Sequence, residues 1–383
     1  LSRNKSLKEL YAPKLEIMVG NCFHDNAILE TLNIPELKEM GYECFHFNES
    51  LKKLNAPKLE TMEEGCFRDN AILETLNIPE LKEMGNWCFC DNESLKELNA
   101  PKLEIMEEGC FINNEILKTL NIPELKEMGK RCFCHNESLK KLNAPKLETM
   151  EYGCFDNNEN LEILNIQELK AMPNRCFENN KKLKELNAPK LKSMGYQCFR
   201  DNEIIEKINI PELEKMDSYC FRQNKSLKEL NVPKLEEMGR ECFAENKILE
   251  TLNIPELKEM GARCFEQNKS LKKLYAPKLE IMVDGCFRNN EILETLKAQG
   301  KNFIFLTNNS SKSKLDYVEK MRKLGFPCDE DNVFTSGMAA GMFLEENKKG
   351  TGKISNQDVK VNENKEIKEG EQKFKIYSQE IKN

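Results

Sequence analysis

The chain has 383 residues, with 58 Lys and Arg against 65 Asp and Glu and a formal charge of −7. That balance supplies no basic surface for phosphate, so no nucleic-acid partner is expected. Its longest uncharged, largely apolar run, Gly337 to Leu344, is too short to span a bilayer, and no charged-then-apolar leader opens the sequence, so no membrane insertion is expected either.

From Leu7 to Ile292 the sequence repeats every 22 residues, thirteen times and without an insertion. Thirteen of the 16 cysteines stand on this ladder from Cys22 to Cys286, each followed by phenylalanine, Phe23 to Phe287; thirteen methionines keep the same step from Met18 to Met282. The consensus reads LxxLNxPxLxxMxxxCFxxNxx. In the first unit Leu10 and Ala12 are two apart, a strand spacing that leaves Tyr11 facing outward. Pro13 follows and lacks an amide donor, so the strand stops there. Each coil is then predicted as a short strand, a bend, a second extended piece around Leu15 to Met18, and a short helical turn near Cys-Phe. Glycine falls at one of two later positions, as in Gly41 or Gly65, where the chain turns. One coil cannot bury enough apolar surface to offset its own ordering, so coils must stack into a repeat solenoid, mainly β.

The charges carry a longer period of two units. The residue after the proline site alternates from Lys14 and Glu36 to Lys278 with no exception, and two residues later the order is inverted, Glu16, Lys38, Glu60, breaking at Lys192 and Glu214. A third alternation, Lys8, Glu30, Lys52, Glu74, Lys96, runs along the strand and slips at Lys118. Coils about 4.8 Å apart would set each lysine between two glutamates. Such pairs individually contribute little, but they fix which coil faces which; a partner-binding zipper is the alternative reading. The inner strand face of the solenoid would show Asn33, Asn55, Asn77, Asn99, Asn121 and their successors, interrupted by Tyr11 and Tyr275, beside Glu9, Thr31 and Lys53. This polar stripe is the candidate surface for a protein or glycan ligand.

Cysteine at the small interior position is read as a compact apolar filler. A line of thiols interleaved with Phe does not offer tetrahedral zinc ligands, and Cys88/Cys90 and Cys132/Cys134 are C-x-C rather than C-x-x-C. No metal, catalytic residue or cofactor is expected in the array. Asn26, Asn48, Asn70 and their successors should point inward and bond the backbone of adjacent turns, so the apparent glycosylation sequons at Asn4, Asn48, Asn92, Asn136, Asn224 and Asn268 are discounted. Reduced thiols favour a cytoplasmic setting, while a signal upstream of Leu1 would place the protein at the cell surface or outside; the compartment is left open.

The stretch LNIPELKEMGKRCF, Leu120 to Phe133, resembles the BspA-like class of leucine-rich repeats, with Cys132 where that class usually has alanine and Asn136 where it has cysteine. The resemblance implies a curved, right-handed solenoid of 22-residue coils over 1–292, used for adhesion or protein binding, often at a cell surface.

After Leu296 the repeat stops. An apolar strand, Phe303 to Leu306, leads through a polar loop to a helix opening near Ser311, with Leu315, Val318, Met321 and Leu324 along one side. A strand ending in Thr-Asn-Asn-Ser before a helix N-terminus is a plausible anion cradle. The segment 293–346, with FIFLTNNSSKS at its centre, resembles haloacid-dehalogenase-like phosphatases of the phosphoglycolate and 4-nitrophenyl phosphatase branch, implying a small α/β fragment. By that resemblance Thr307 holds the second signature position, contacting a phosphoryl group, with Asn308 and Asn309 beside it. The family's nucleophile and acid/base are two aspartates in a DxDG motif at the end of an upstream strand, and that region here is solenoid. Asp329-Glu330-Asp331 has the spacing but lies downstream, and residues 347–383, rich in Lys, Glu and Asn, read as a disordered tail without the catalytic lysine or magnesium ligands. The expectation is a non-enzymatic scaffold, with a degenerate or split phosphatase as the alternative.

Overall fold

Two apolar positions closed off by a proline site produce a strand of only three residues, so sheet stability has to come from the neighbouring coils. A computed structural model describes residues 2–290 except 272, 277, 280 and 284, together with 304–307, 313–323, 329–330, 333–335 and 374–377. It contains thirteen three-residue strands, Glu9–Tyr11 to Lys273–Tyr275, and thirteen two-residue strands, Ile17–Met18 to Ile281–Met282. Each lies parallel to its counterpart one coil away without slip: Leu10 faces Leu32, Leu32 faces Leu54, and Met18 faces Met40. The Cys-Phe corner supplies a third line of inter-coil bonds, Phe45 N–H to Cys66 O and Phe67 N–H to Cys88 O, both 2.8 Å.

Stacking one coil on the next turns each consensus position into an interior column. The leucines from Leu29 to Leu257, apart from the half-buried Leu76, and the phenylalanines from Phe45 to Phe265 are buried. Successive rings from Phe23 to Phe287 lie 5.2–5.7 Å apart at interplanar angles of 2–16°, an offset-stacked file. The ladder asparagines point inward as expected. Asn136 is fully buried; its Nδ2 donates to Phe111 O at 2.7 Å, and its own N–H donates to Asn158 Oδ1 at 3.1 Å. Asn48, Asn92, Asn224 and Asn268 are equally buried, which closes those sequons to modification; Asn4 is half-buried.

The cysteine column does more than fill space. Cys110 Sγ lies 3.1 Å from Gly85 O in the coil before and 3.2 Å from Glu107 O in its own, so the thiol donates to carbonyls that the bend leaves unpaired. Burial pushes the Cys44 thiol up to about 12, which keeps it protonated and inert at neutral pH.

In most coils the corner is a single turn closed by an i+3 to i bond, such as Cys134 N–H to Arg131 O at 3.2 Å, rather than a helix. A left-handed residue brackets it on both sides, such as Arg131 (φ 53°) and His135 (φ 59°), and prevents helical propagation. The two glycine positions therefore differ in purpose. Gly65 occupies the left-handed site (φ +63°) that Glu43 and Trp87 fill in neighbouring coils, whereas a Cβ on Gly41 would fall 2.5 Å from Gly20 N. Pro173 takes the place from which Gly195 N–H donates to Met172 O at 2.7 Å. It has no hydrogen to give, and the two-residue sheet is interrupted there, between Thr149–Met150 and Ala171–Met172.

Outside, lysines bond to the glutamate one coil earlier: Lys38 to Glu16 at 2.8 Å, Lys82 to Glu60 at 2.6 Å, Lys126 to Glu104 at 2.6 Å. The inverse column pairs likewise, Lys58 to Glu36 at 2.6 Å and Lys102 to Glu80 at 2.5 Å. Each lysine thus has one close partner rather than two equal ones. Where the order breaks, Lys192 turns forward to Glu214 at 3.3 Å.

Beyond the array, strand Ile304–Thr307 pairs parallel with Val333–Thr335 and antiparallel with Phe374–Tyr377, four residues of the acidic and basic tail. Helix Lys314–Lys323 begins at a capping box: Ser313 Oγ accepts from Asp316 N–H at 3.2 Å, and Asp316 Oδ2 accepts from Ser313 N–H at 2.9 Å. Its buried side is Tyr317, Val318 and Met321; Leu315, expected on that side, is 58% exposed because burying the larger Tyr317 rotates it outward, and Leu324 lies outside the described residues. In earlier coils the left-handed residue donates its N–H to the next coil, as Gly109 does to Lys130 O at 2.8 Å. Gly285 finds Lys323 O instead, at 3.0 Å, so an orphan carbonyl of the helix end stands where a fourteenth coil would.

The two glycine sites predict unequal costs. Gly65→Ala should lose about 1 kcal/mol, the price of a left-handed alanine, and Gly41→Ala about 2–3 kcal/mol, because its Cβ meets backbone. Urea midpoints measure both, and equal losses would refute the distinction. The charge ladder predicts a pH window. Hydrogen bonds from lysine hold the Glu16, Glu60 and Glu104 carboxyls below 4.5 and raise Lys38, Lys82 and Lys126 above 10.5. The carboxylate share of stability is complete above 4.5 and disappears as pH falls through the lowered values; the ammonium share is complete below 10.5 and disappears as pH rises through the raised ones. The ladder's contribution to the melting temperature should therefore be constant between those limits, decline on either side, and shrink at neutral pH as sodium chloride is added. Indifference to salt would show that the ladder contributes nothing.

Candidate functional site

The three-residue strands alternate out, in, out, so their central leucine anchors two outward side chains in every coil. Leu54 is buried between Lys53 and Asn55, and Leu98 between Glu97 and Asn99. Of the residues expected on this face, Tyr11 is 72% exposed, Asn33 is half-buried, and Asn55, Asn77, Asn99 and Asn121 are exposed. Tyr275 continues the register by pairing with Asn253, while its side chain lies outside the described residues.

The amides are not independent. Asn77 Nδ2 donates to Asn55 Oδ1 at 2.7 Å, Asn121 to Asn99 at 2.7 Å, Asn165 to Asn143 at 2.8 Å, Asn209 to Asn187 at 2.8 Å and Asn253 to Asn231 at 2.7 Å. They are joined two by two, in the same two-coil unit as the charges. That pairing fixes each amide plane and leaves outward-facing hydrogen-bonding capacity repeated along the array. It could not be read from the sequence, which shows one asparagine per coil without showing which neighbour it turns to.

Charge on this face is locally balanced. Lys207 Nζ sits 2.9 Å from Glu185 Oε1, and that hydrogen bond raises the lysine above its ordinary value. Farther along, Glu206, Lys207, Lys228, Glu229, Glu250 and Thr251 border an open groove of about 550 Å³. Ile163, 48% exposed, is an apolar interruption. The face suits a polar ligand that lies across several coils. Among the described residues one group of metal-ligating side chains comes together, His24, Glu43 and His46, at the Cys-Phe corners rather than on these strands.

The phosphate-binding candidates separate. Thr307 ends strand Ile304–Thr307 ahead of the Ser313-capped helix, the order that its role requires, but its side chain, Asn308 and Asn309 lie outside the described residues. Asp329 and Glu330 precede strand Val333–Thr335 instead of ending one. No helix of the described residues is long and apolar enough to cross a membrane.

Comparison with known proteins finds two families, whose matches overlap over residues 288–315. The family model described as a haloacid dehalogenase-like hydrolase matches residues 288–369. Phosphoglycolate phosphatase 2 of Arabidopsis thaliana is 46% identical over 52 residues, 13% of this chain and 17% of that protein. Glycerol-3-phosphate phosphatase of Gallus gallus is 44% identical over 50 residues, 13% of this chain and 16% of that one. The chain therefore spans about a sixth of the length of these curated relatives. A crystal structure of a leucine-rich repeat protein from Bacteroides ovatus overlays with a TM-score of 0.55 at 16% identity, covering 74% of this chain and 84% of the other. The BspA type leucine rich repeat region matches at residues 16–140, 104–228 and 192–315. With stacked coils, interior asparagines and Cys-Phe corners accounting for most of its length, the chain belongs to the BspA type leucine-rich repeat family.

Proposed function

We propose that this protein is a non-enzymatic interaction scaffold that binds a protein ligand across the outer face of its three-residue strands. The observation that supports this reading is the run of asparagine amides from Asn55 to Asn253, exposed except at the half-buried Asn165 and Asn187 and held in register by inter-coil hydrogen bonds. Fixed amides lose little freedom on binding, so their hydrogen bonds are available at low entropic cost. A glycan would find the same donors and acceptors; the length of the face favours an extended protein partner. Phosphoryl transfer is not part of the reading: Thr307 stands where the resemblance would set a phosphate contact, but the solenoid occupies the region where that family carries its nucleophilic aspartate and the acid/base aspartate beside it.

A second reading rests on the match at 288–369: the segment is a phosphatase remnant completed by another chain. One pair of experiments separates the two. A photo-crosslinking residue at Asn99 should yield a defined adduct in extracts of the source cells, and Asn121→Arg with Asn143→Arg should weaken that interaction at least about tenfold, or about 1.4 kcal/mol. Glu127→Arg, on the two-residue sheet, should leave it intact. Equal loss from both faces would sink the scaffold reading. Hydrolysis of 4-nitrophenyl phosphate with magnesium, abolished by Thr307→Ala, would establish the second.

A further inference from the structure

The chain has three histidines, and two of them, His24 and His46, follow the column phenylalanine in adjacent coils. Parallel stacking therefore sets one imidazole over the other, with centroids 5.2 Å apart and planes inclined at 59°. His46 is 9% exposed. Its Nε2–H donates to Asp69 Oδ2 of the third coil at 3.0 Å, which leaves Nδ1 as the ring's lone pair. That Nδ1 is buried and meets no hydrogen-bond partner, and the same is true of His24 Nδ1. A buried nitrogen left without a partner is destabilising, and here two occur in neighbouring coils. Glu43, the left-handed residue of the second corner (φ 49°), brings a carboxylate to the same place. One ligand atom from each of His24, Glu43 and His46 lies within 4.8 Å of the other two.

We infer that His24, Glu43 and His46 form a binding site for a divalent transition-metal ion of the zinc class. Two imidazole nitrogens and one carboxylate suit zinc or its neighbours and not calcium or magnesium, which prefer all-oxygen shells. Asp69 completes the arrangement from behind, holding the His46 ring in the tautomer that presents Nδ1 to the ion. Phe47 packs flat on His46, centroids 4.0 Å apart at 18°, and edge-on to His24 at 6.1 Å, so the imidazole planes are braced by an apolar wall. A tetrahedral ion with bonds of about 2.0–2.1 Å needs ligand atoms roughly 3.3 Å apart. The half-exposed Glu43 and His24 can close that distance without moving the core. Three protein ligands leave a fourth position for water or for a donor from a partner. In later coils the histidine position carries Arg68, Cys90, Ile112 and Cys134, so the site belongs to the start of the array alone.

Calorimetric titration of the reduced full-length chain with zinc chloride tests this, with far-UV circular dichroism to show that each variant retains its fold. One equivalent should bind to the parent and none to His24→Ala with His46→Ala; His24→Ala alone serves if the buried substitution disturbs folding. Asp69→Asn, at a residue that meets the rear of His46 and the Arg68 guanidinium (3.3 Å) and is not itself a ligand, should keep the stoichiometry at one and weaken binding about 10- to 100-fold. Cobalt substituted for zinc should show no sulfur-to-metal charge-transfer band. The inference is overturned if no equivalent binds, if binding survives loss of both histidines, or if the cobalt spectrum reports thiolate ligands.

Discussion

The constraint on which everything else depends is the zero-slip stacking of each coil on the one before. Among the described residues no coil contains a hydrogen-bonded sheet of its own; its strands pair only with the same strands in adjacent coils. Any residue chosen at a repeat position is therefore repeated in space at the spacing of the coils, and its first neighbour is its own copy. That is why rings stack on rings and asparagine amides reach the carbonyl of Phe one coil earlier. The energetics are those of a one-dimensional stack, where each coil is stabilised by two interfaces and the end coils by one.

The ends show the consequence. Cys22, Leu7, Leu10 and Leu15 of the first coil are half-exposed, while Cys286 and Phe287 of the last are buried. At that last coil the helix Lys314–Lys323 contributes a backbone carbonyl where another turn of solenoid would otherwise bond. A segment similar to part of a phosphatase thus meets the last coil through one backbone bond, in which a carbonyl left over at a helix end accepts from the Gly285 N–H.

Much of this was legible before any coordinates. The 22-residue step, the strand before the proline site and the inward asparagines all follow from spacing alone, because a strict repeat converts sequence distance into spatial adjacency. What the spacing could not show was how side chains turn at the corners. The left-handed positions are filled by Glu43, Trp87, Arg131 and Tyr219 as readily as by Gly65, so composition gives no sign of them. The thiol donors to carbonyl oxygen were hidden for the same reason, since cysteine there reads as a small apolar group. His24 and His46 could be placed side by side from their 22-residue separation; the approach of Glu43 and Asp69 depends on corner geometry and could not. Leu315 departs from the aliphatic stripe because the larger Tyr317 takes the buried side of the helix.

The core and the surface of this molecule count differently. Inside, one coil is the unit, and any coil could in principle follow any other. Outside, lysine and glutamate alternate, and the amides join in twos, so the unit is a pair of coils, 44 residues. A tandem array grows and shrinks by unequal exchange of its repeats, and here an odd number of exchanged coils would set lysine above lysine and glutamate above glutamate along both ladders at once. The neighbours Lys170 and Lys192, and Glu214 and Glu236, show what such a joint looks like on one ladder, where Lys192–Glu214 and Lys215–Glu237 pairs at 3.3 and 3.0 Å relieve it. The other ladder, from Lys14 to Lys278, passes through the same coils without a fault. Local substitution, not the loss of a single coil, therefore accounts for the irregularity, and the lengths open to such an array differ by even numbers of turns.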